Sequence, residues 1–309
     1  MTPDLPLKGL WCATLSPLDR GGALDAGRLA VHVQHLFAAG VDGIAPFGTT
    51  GEGQSFSVAE RRAGLDALLA AGIAPRRILA ATGCAALPDA IELTRHAVSV
   101  GCGGALVLPP FFFKDVSDEG IYAVYSGLID GVGDDRLRLY LYHIPQVSGV
   151  GISLPMLSRL VTAYPTIVAG VKDSSGNLDN SRALVSALPR LSIFVGHEPH
   201  LPAMRKLGGA GTVCGIANLY PRLMRRLYDH ALEPDPGGDL ALIERFLGAI
   251  TPFPIFGAFK SLQAQLAGDA SWLALRAPLM PLSTTNEAAL RRAVAGAGIV
   301  PERDGAGPA

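Results

Sequence analysis

Short apolar runs alternate with amphipathic segments along most of this 309-residue chain, and no other feature so restricts its possible folds. Apolar runs at residues 10–15, 43–45, 78–80, 105–108, 137–142, 167–171, 193–195 and 211–214 are each followed by a stretch of helical periodicity: 29–39, 58–70, 90–100, 120–129, 154–161, 178–188, 201–207 and 221–232. An uninterrupted apolar run suits a strand buried on both faces, and the amphipathic stretch after it suits a crossover helix. Eight such βα units within residues 10–232 predict an α/β fold, a closed (β/α)8 TIM barrel, although spacing alone also allows an open doubly wound sheet. No G-x-G-x-x-G opens the first unit and no G-x-x-x-x-G-K-[ST] occurs, so the usual nucleotide-binding markers are lacking. Residues 57–60 and 284–287 have capping-box spacing and predict helix starts at Ser57 and Thr284.

Residues 233–238 form a turn-rich break, and helical patterning fills most of the remainder. This divides the chain into a barrel at 1–232 and a C-terminal helical extension at 233–309. A helical segment of that size rarely holds a large core of its own, so it is expected to pack on the barrel's flank. Residues 303–309 read as a frayed tail.

Composition narrows the function classes. Hydrophobic residues make up 49% of the chain, ample for an extensive core. Twenty-six basic residues against twenty-seven acidic ones, without a block of either sign, argue against nucleic acid as a partner. Cys12, Cys84, Cys102 and Cys214 form neither a C-x-x-C pair nor a metal-ligand cluster, which fits a reducing cytoplasm. The N-terminus, with Asp4 and two prolines, does not read as a secretory signal. The most apolar stretch, 98–113, is broken by three glycines and two prolines and could not cross a membrane as a helix.

In a parallel barrel the chemistry sits where strands end. Lys172, one of five lysines, closes the apolar run 167–171. Poorly solvated surroundings there would free a neutral, nucleophilic amine, unless the side chain simply snorkels to water. The second strand runs into Phe47-Gly48-Thr49-Thr50-Gly51-Glu52, a loop able to gather N–H groups and two hydroxyls around a carboxylate or phosphate, or to serve as an ordinary turn. Period-two alternation puts Tyr140 and Tyr142 on one face of the fifth strand and His143 on the other. A phenol at the strand's end can relay a proton, or merely pack and cap. His197-Glu198-Pro199-His200 could in principle surround a metal, but Pro199 interrupts any helical face and the spacing is not H-E-x-x-H; a solvated loop is the simpler reading.

Together, Gly48-Thr49-Thr50-Gly51-Glu52, Tyr142-His143-Ile144-Pro145, Gly170-Val171-Lys172-Asp173-Ser174-Ser175-Gly176-Asn177 and Gly208-Gly209-Ala210-Gly211 resemble the dihydrodipicolinate synthase / N-acetylneuraminate lyase superfamily, from about residue 10 to the end of the chain. The resemblance implies a (β/α)8 barrel with a C-terminal helical extension, a homotetramer built as a dimer of dimers, and chemistry without metal or cofactor. It makes Lys172 the residue that forms a Schiff base with pyruvate, Tyr142 the proton donor and acceptor, and Thr49 its relay partner. Gly48, Thr50 and the loop N–H groups would hold the pyruvate carboxylate. Gly196 and Val213 fall at positions that line the site in relatives, and Ser148, Ser174, Ser175 and Glu198 are candidates to bind the aldehyde or 2-keto acid.

Two departures shape the expected substrate. Val147 stands where the synthases carry an arginine for aspartate semialdehyde, and a neutral side chain cannot make that ion pair. Phe112 matches a tyrosine that in relatives reaches the neighbouring subunit's site; Phe111 and Phe113 likewise lack a hydroxyl. The run Pro145-Gln146-Val147-Ser148-Gly149-Val150 looks instead like the lyases, while Gly215 stands where the sialic acid lyase has a serine that touches the sugar. A class I pyruvate-dependent aldolase acting on a 2-keto-3-deoxy sugar acid, or on a more apolar analogue, is therefore the leading expectation. The alternatives are a dihydrodipicolinate synthase using another cation, a metal-dependent aldolase built on His197, Glu198 and His200, and a non-catalytic pyruvate-binding protein.

Overall fold

The computed structural model describes residues 7–233 and 238–299; Asp4, residues 234–237 of the turn-rich break and the 303–309 tail lie outside them. The strands are β1 (Gly9–Cys12), β2 (Gly43–Ile44), β3 (Leu79–Ala81), β4 (Gly104–Val107), β5 (Leu139–His143), β6 (Val168–Asp173), β7 (Ser192–Val195) and β8 (Gly211–Cys214). Between and after them lie α1 (Ala26–Ala38), α2 (Val58–Ala70), α3 (Leu87–Ser99), α4 (Asp118–Val132), α5 (Pro145–Ser148), α6 (Leu154–Ala163), α7 (Leu178–Ala187), α8 (Leu201–Lys206) and α9 (Pro221–Asp229). All neighbouring strands are parallel in the order β2-β1-β8-β7-β6-β5-β4-β3, and the Ile44–Ile78 bridge closes the seam. This is the expected barrel.

Its details differ from the sequence pattern in three places. The sixth strand runs on through Lys172 to Asp173, because the Asp173 carboxylate accepts hydrogen bonds from Ser175 N, Asn180 Nδ2 and Ser181 Oγ and can be buried in the ladder. The last barrel helix stops at Asp229 and gives way to a 3-10 turn, His230–Leu232. Ser57 caps α2 with the full reciprocal box, but the final helix, α12 below, is capped by Ser283, whose hydroxyl accepts from Asn286 N. With Ser283 as the cap, Glu287 is one residue too far along to close a box, and the box expected from Thr284 does not form.

Register decides which side chains enter the barrel. Leu139 pairs with Val168, yet Tyr140 pairs with Gly170, so β6 carries one extra residue, Ala169. A one-residue shift turns every later side chain to the opposite face. Tyr142 consequently lies beside Lys172, both pointing inward, while His143 turns outward and its Nδ1 accepts the N–H of Ile152. The lower interior is filled by Trp11, Tyr140 and Phe194, with Tyr140 and Trp11 ring centroids 6.2 and 6.5 Å from that of Phe194. Burial of such rings contributes roughly 2–3 kcal/mol each. Gly104 and Gly170 flank the Tyr140 ring so closely that a Cβ at either would come within 2.7 Å of it.

The C-terminal part consists of α10 (Gly238–Ile250), α11 (Ile255–Ala267) and α12 (Thr284–Gly296). Its Phe246, Leu262, Trp272 and Leu290 belong to the same apolar cluster as the outer faces of the strands, and Phe246 meets Tyr220 edge-on at 5.1 Å. Among the described residues no single helix is long and apolar enough to cross a membrane.

Candidate active site

The C-terminal mouth of the barrel gathers most of the expected residues around Lys172. Lys172 is only 4% exposed, and its Nζ lies 4.2 Å from the centroid of the Tyr142 ring. The Tyr142 hydroxyl lies 3.2 Å from Thr49 Oγ1, so amine, phenol and threonine form a continuous path from β6 across β5 to the loop after β2. Burial would raise the Tyr142 phenol, but the charge of Lys172 and hydrogen bonding by Thr49, Lys172 and Ser174 outweigh it, and the net shift is downward. A phenol so placed gives up its proton more readily than an ordinary tyrosine.

Ser174 and Gly196 pack against each other behind the lysine. A Cβ at Gly196 would lie 1.8 Å from Ser174 Oγ and 3.3 Å from Lys172 Cε, so only glycine leaves room for both side chains. Val213 is fully buried in the barrel interior among Trp11 and Phe194. Glu198 is also buried, and its Oε1 accepts a 3.4 Å hydrogen bond from Ile216 N. Burial pushes its carboxyl up, against the opposing effects of backbone N–H groups and of Lys172. The rings of His197 and His200 face each other at 4.6 Å, and no group of three or more His, Cys, Asp or Glu among the described residues is placed to hold a metal ion.

The loop after β2 is held in part by Lys260, which sequence reasoning did not single out. Phe47 and Glu52 both have positive φ, 59° and 54°, a conformation that is costly for side-chain-bearing residues and needs support. Glu52 is buried, with Lys260 Nζ of α11 lying 3.0 Å from its Oε1. The contact is an ion pair and not an aligned hydrogen bond, since Nζ donates to the carbonyls of Ser16 at 2.6 Å and Ala274 at 2.9 Å while Oε1 has no hydrogen-bond partner. Burial lowers the Lys260 pKa and the Glu52 charge works against that. Thr50 turns the other way, and its Oγ1 would lie 3.3 Å from a Cβ at Gly215.

A chamber of about 350 Å3 opens beside Thr49 and Tyr142. Of the expected site residues, Gly48, Thr49, Tyr142 and Ser148 line it; Lys172, Thr50, Ser174, Gly196, Glu198 and Val213 do not. Phe256, Pro278 and Leu279 of the C-terminal part complete its wall.

Residues 6–297 match the model of the dihydrodipicolinate synthetase family. The chain belongs to that family. It is 37% identical to an uncharacterized DapA-like lyase of Chloroflexus aurantiacus, over 93% of this chain and 95% of that protein. Among solved structures, dihydrodipicolinate synthase from Agrobacterium tumefaciens superposes with a TM-score of 0.87 at 33% identity, covering 93% of this chain and 98% of the other. KD(P)GA from T. tenax gives 0.83 at 26% identity, covering 94% and 99%. The protein is thus an enzyme, a lyase of the dihydrodipicolinate synthetase family, and relatives similar to it carry the names of both synthases and lyases.

For a dihydrodipicolinate synthetase family member, the wall residues from α11 were the hardest to read from sequence. One signal was available: Lys260 stands in the apolar segment Ile255–Ala267, as Lys172 stands after 167–171.

Proposed function

We propose that this enzyme is a class I, pyruvate-dependent aldolase that makes or cleaves a 2-keto acid, with Lys172 as the Schiff-base residue. The observation that carries this reading is the buried Lys172 Nζ over the Tyr142 ring, with the Tyr142 hydroxyl 3.2 Å from Thr49 Oγ1. The Lys172 amine attacks the ketone carbon of pyruvate, water leaves, and an iminium forms. Loss of a methyl proton gives the enamine, whose carbon adds to an aldehyde; the new alkoxide takes a proton, and water then releases the 2-keto acid from Lys172. Tyr142, with its lowered pKa and its contact to Thr49, is suited to move these protons. Gly48, Thr50 and the loop N–H groups hold the pyruvate carboxylate, and Glu52 with Lys260 keeps that loop in place. Ser174 and Gly196 keep the Lys172 side chain in position, Val213 closes the floor, and Glu198 supports the lysine from behind.

The synthase reading is the weaker one. Val147 is 61% exposed at the chamber's rim and offers no charge, and the guanidinium that lines the chamber, Arg61, is buried and hydrogen-bonded to the carbonyls of Ala81 and Gly83. Assembly is expected as a homo-oligomer, a dimer of dimers, and the exposed Phe112 and Phe113 beside the chamber are the apolar surface such an assembly would cover.

Incubation with pyruvate and borohydride, followed by intact and peptide mass measurement, tests the proposal. The expected result is a reduced pyruvate adduct confined to Lys172 and lost in Lys172→Ala. No adduct, or one that survives that substitution, would sink it; loss of activity on chelation would favour the metal-dependent alternative.

A further inference from the structure

The chamber beside Tyr142 is built for an apolar body, and this concerns the half of the reaction that pyruvate does not supply. Leu106, Leu108, Phe111, Ile144, Phe256 and Leu279 line it, drawn from the ends of β4 and β5 with their following loops and from the C-terminal part. Two charged side chains reach it, and both are already engaged. Glu52 is paired with Lys260. Arg61, 3% exposed, donates to Ala81 O, Gly83 O and Cys84 Sγ, and its desolvated guanidinium lies within the wall.

Two of the neutral polar side chains are already engaged with the backbone. The Ser148 hydroxyl is taken by the carbonyls of Ile144 and Val150, and the Gln54 amide donates to Gly83 O. Thr49 and Tyr142 face each other at the end nearest Lys172, where an aldehyde oxygen would need them. A chain of hydroxyls lodged in this chamber would exchange water largely for aliphatic and aromatic carbon, with few partners for its donors and acceptors. A carboxylate there would find one cation among the described lining residues, the Arg61 guanidinium, which is almost wholly buried and held by backbone carbonyls within the wall. An aryl or branched alkyl group loses no hydrogen bond on entry and gains the burial of its surface.

The geometry points to an uncharged aldehyde with an aromatic or branched aliphatic body as the acceptor, in preference to a polyhydroxy or carboxylate-bearing one. This rests on the Schiff-base reading: the pyruvate enamine on Lys172 forms the new carbon–carbon bond to the aldehyde carbon, the carbonyl π pair becomes an alkoxide that takes a proton at the Tyr142 end, and hydrolysis releases a 4-hydroxy-2-oxo acid bearing the apolar group at C4. In reverse the same site cleaves such an acid to pyruvate and the aldehyde. Selectivity arises at the walls, not at the lysine.

The test begins with borohydride trapping of pyruvate, so that failure of the covalent step is seen separately. On a preparation that traps at Lys172, kcat/KM for pyruvate condensation is compared for benzaldehyde and 3-methylbutanal against glyceraldehyde, erythrose and glyoxylate. The apolar pair is expected to be favoured by about 100-fold. Val147→Arg, at an exposed rim position, is expected to raise kcat/KM for glyoxylate by about 10-fold and to lower it for benzaldehyde. Trapping with equal or better use of the hydroxylated or charged aldehydes, trapping with turnover of none of the five, or an unchanged preference in Val147→Arg would overturn the inference and leave the Schiff base standing. Absence of trapping would overturn both.

Discussion

Tyr140 and Tyr142 leave the same strand on the same face, two residues apart, and belong to two different regions of the barrel interior. Below, the Tyr140 ring is wedged between Gly104 and Gly170, and its hydroxyl accepts the N–H of Leu7 at 2.9 Å. Burial pushes that phenol up to about 12. Above, Tyr142 meets Lys172 and Thr49, and charge and hydrogen bonding bring its pKa down. One layer spends its tyrosine on packing and the other sets it beside an amine and a threonine hydroxyl. The difference lies in the neighbours, since residue type, strand and burial are nearly shared.

The contrast can be broken most severely in the upper layer. Tyr142→Phe should lower kcat by about 10²–10⁴ while leaving the urea midpoint nearly unchanged and still allowing pyruvate to be trapped slowly. Equal loss of stability and activity would mean that the two tyrosines play one structural part. Next comes the support under the upper layer: Lys260→Met leaves the Glu52 carboxylate buried without its partner, and a loss of about 3–5 kcal/mol is expected by denaturant unfolding, with a raised KM for pyruvate. An unchanged KM would separate the ion pair from the carboxylate loop.

An alkaline titration sharpens the comparison further. The Tyr140 proton is bound more tightly in the folded chain than in the unfolded one, so its contribution to stability is complete below pH about 10 and is lost as pH rises toward about 12. That loss, roughly 2–3 kcal/mol, should be missing from Tyr140→Phe. Tyr142 has the opposite sign: its contribution is present above the ordinary tyrosine pKa and fades as pH falls through its lowered value. The smallest effect is that of Tyr140→Phe at neutral pH, about 1 kcal/mol for the Leu7 N–H left without its acceptor, with kcat unaltered. A large fall in kcat there would erase the distinction between the layers.

Much of this architecture was legible beforehand, because the alternation of buried strand and amphipathic helix is a local, periodic property that any window of sequence displays. The strand ends followed from it, and so did the candidates Thr49, Tyr142 and Lys172. The chamber was not legible. Its wall draws Leu106 and Leu108 from the segment at β4 and Phe256 and Leu279 from a part of the chain more than a hundred residues later, and nothing periodic links them. The capping box expected at Thr284 failed for a smaller reason: Ser283 was an equally good cap one residue earlier.

The sequence by itself determined eight βα units and placed a lysine near the end of the sixth strand. It singled out Lys172 and passed over Lys260, which also stands in apolar company. Tertiary structure gave Lys260 its place, because it meets Ser16, 244 residues away, along with Ala274 and Glu52. It also placed one extra residue at Ala169, so that Lys172 turns inward beside Tyr142. Periodicity is set by neighbours along the chain; the partner of a buried charge and the register of two strands are set by neighbours in space.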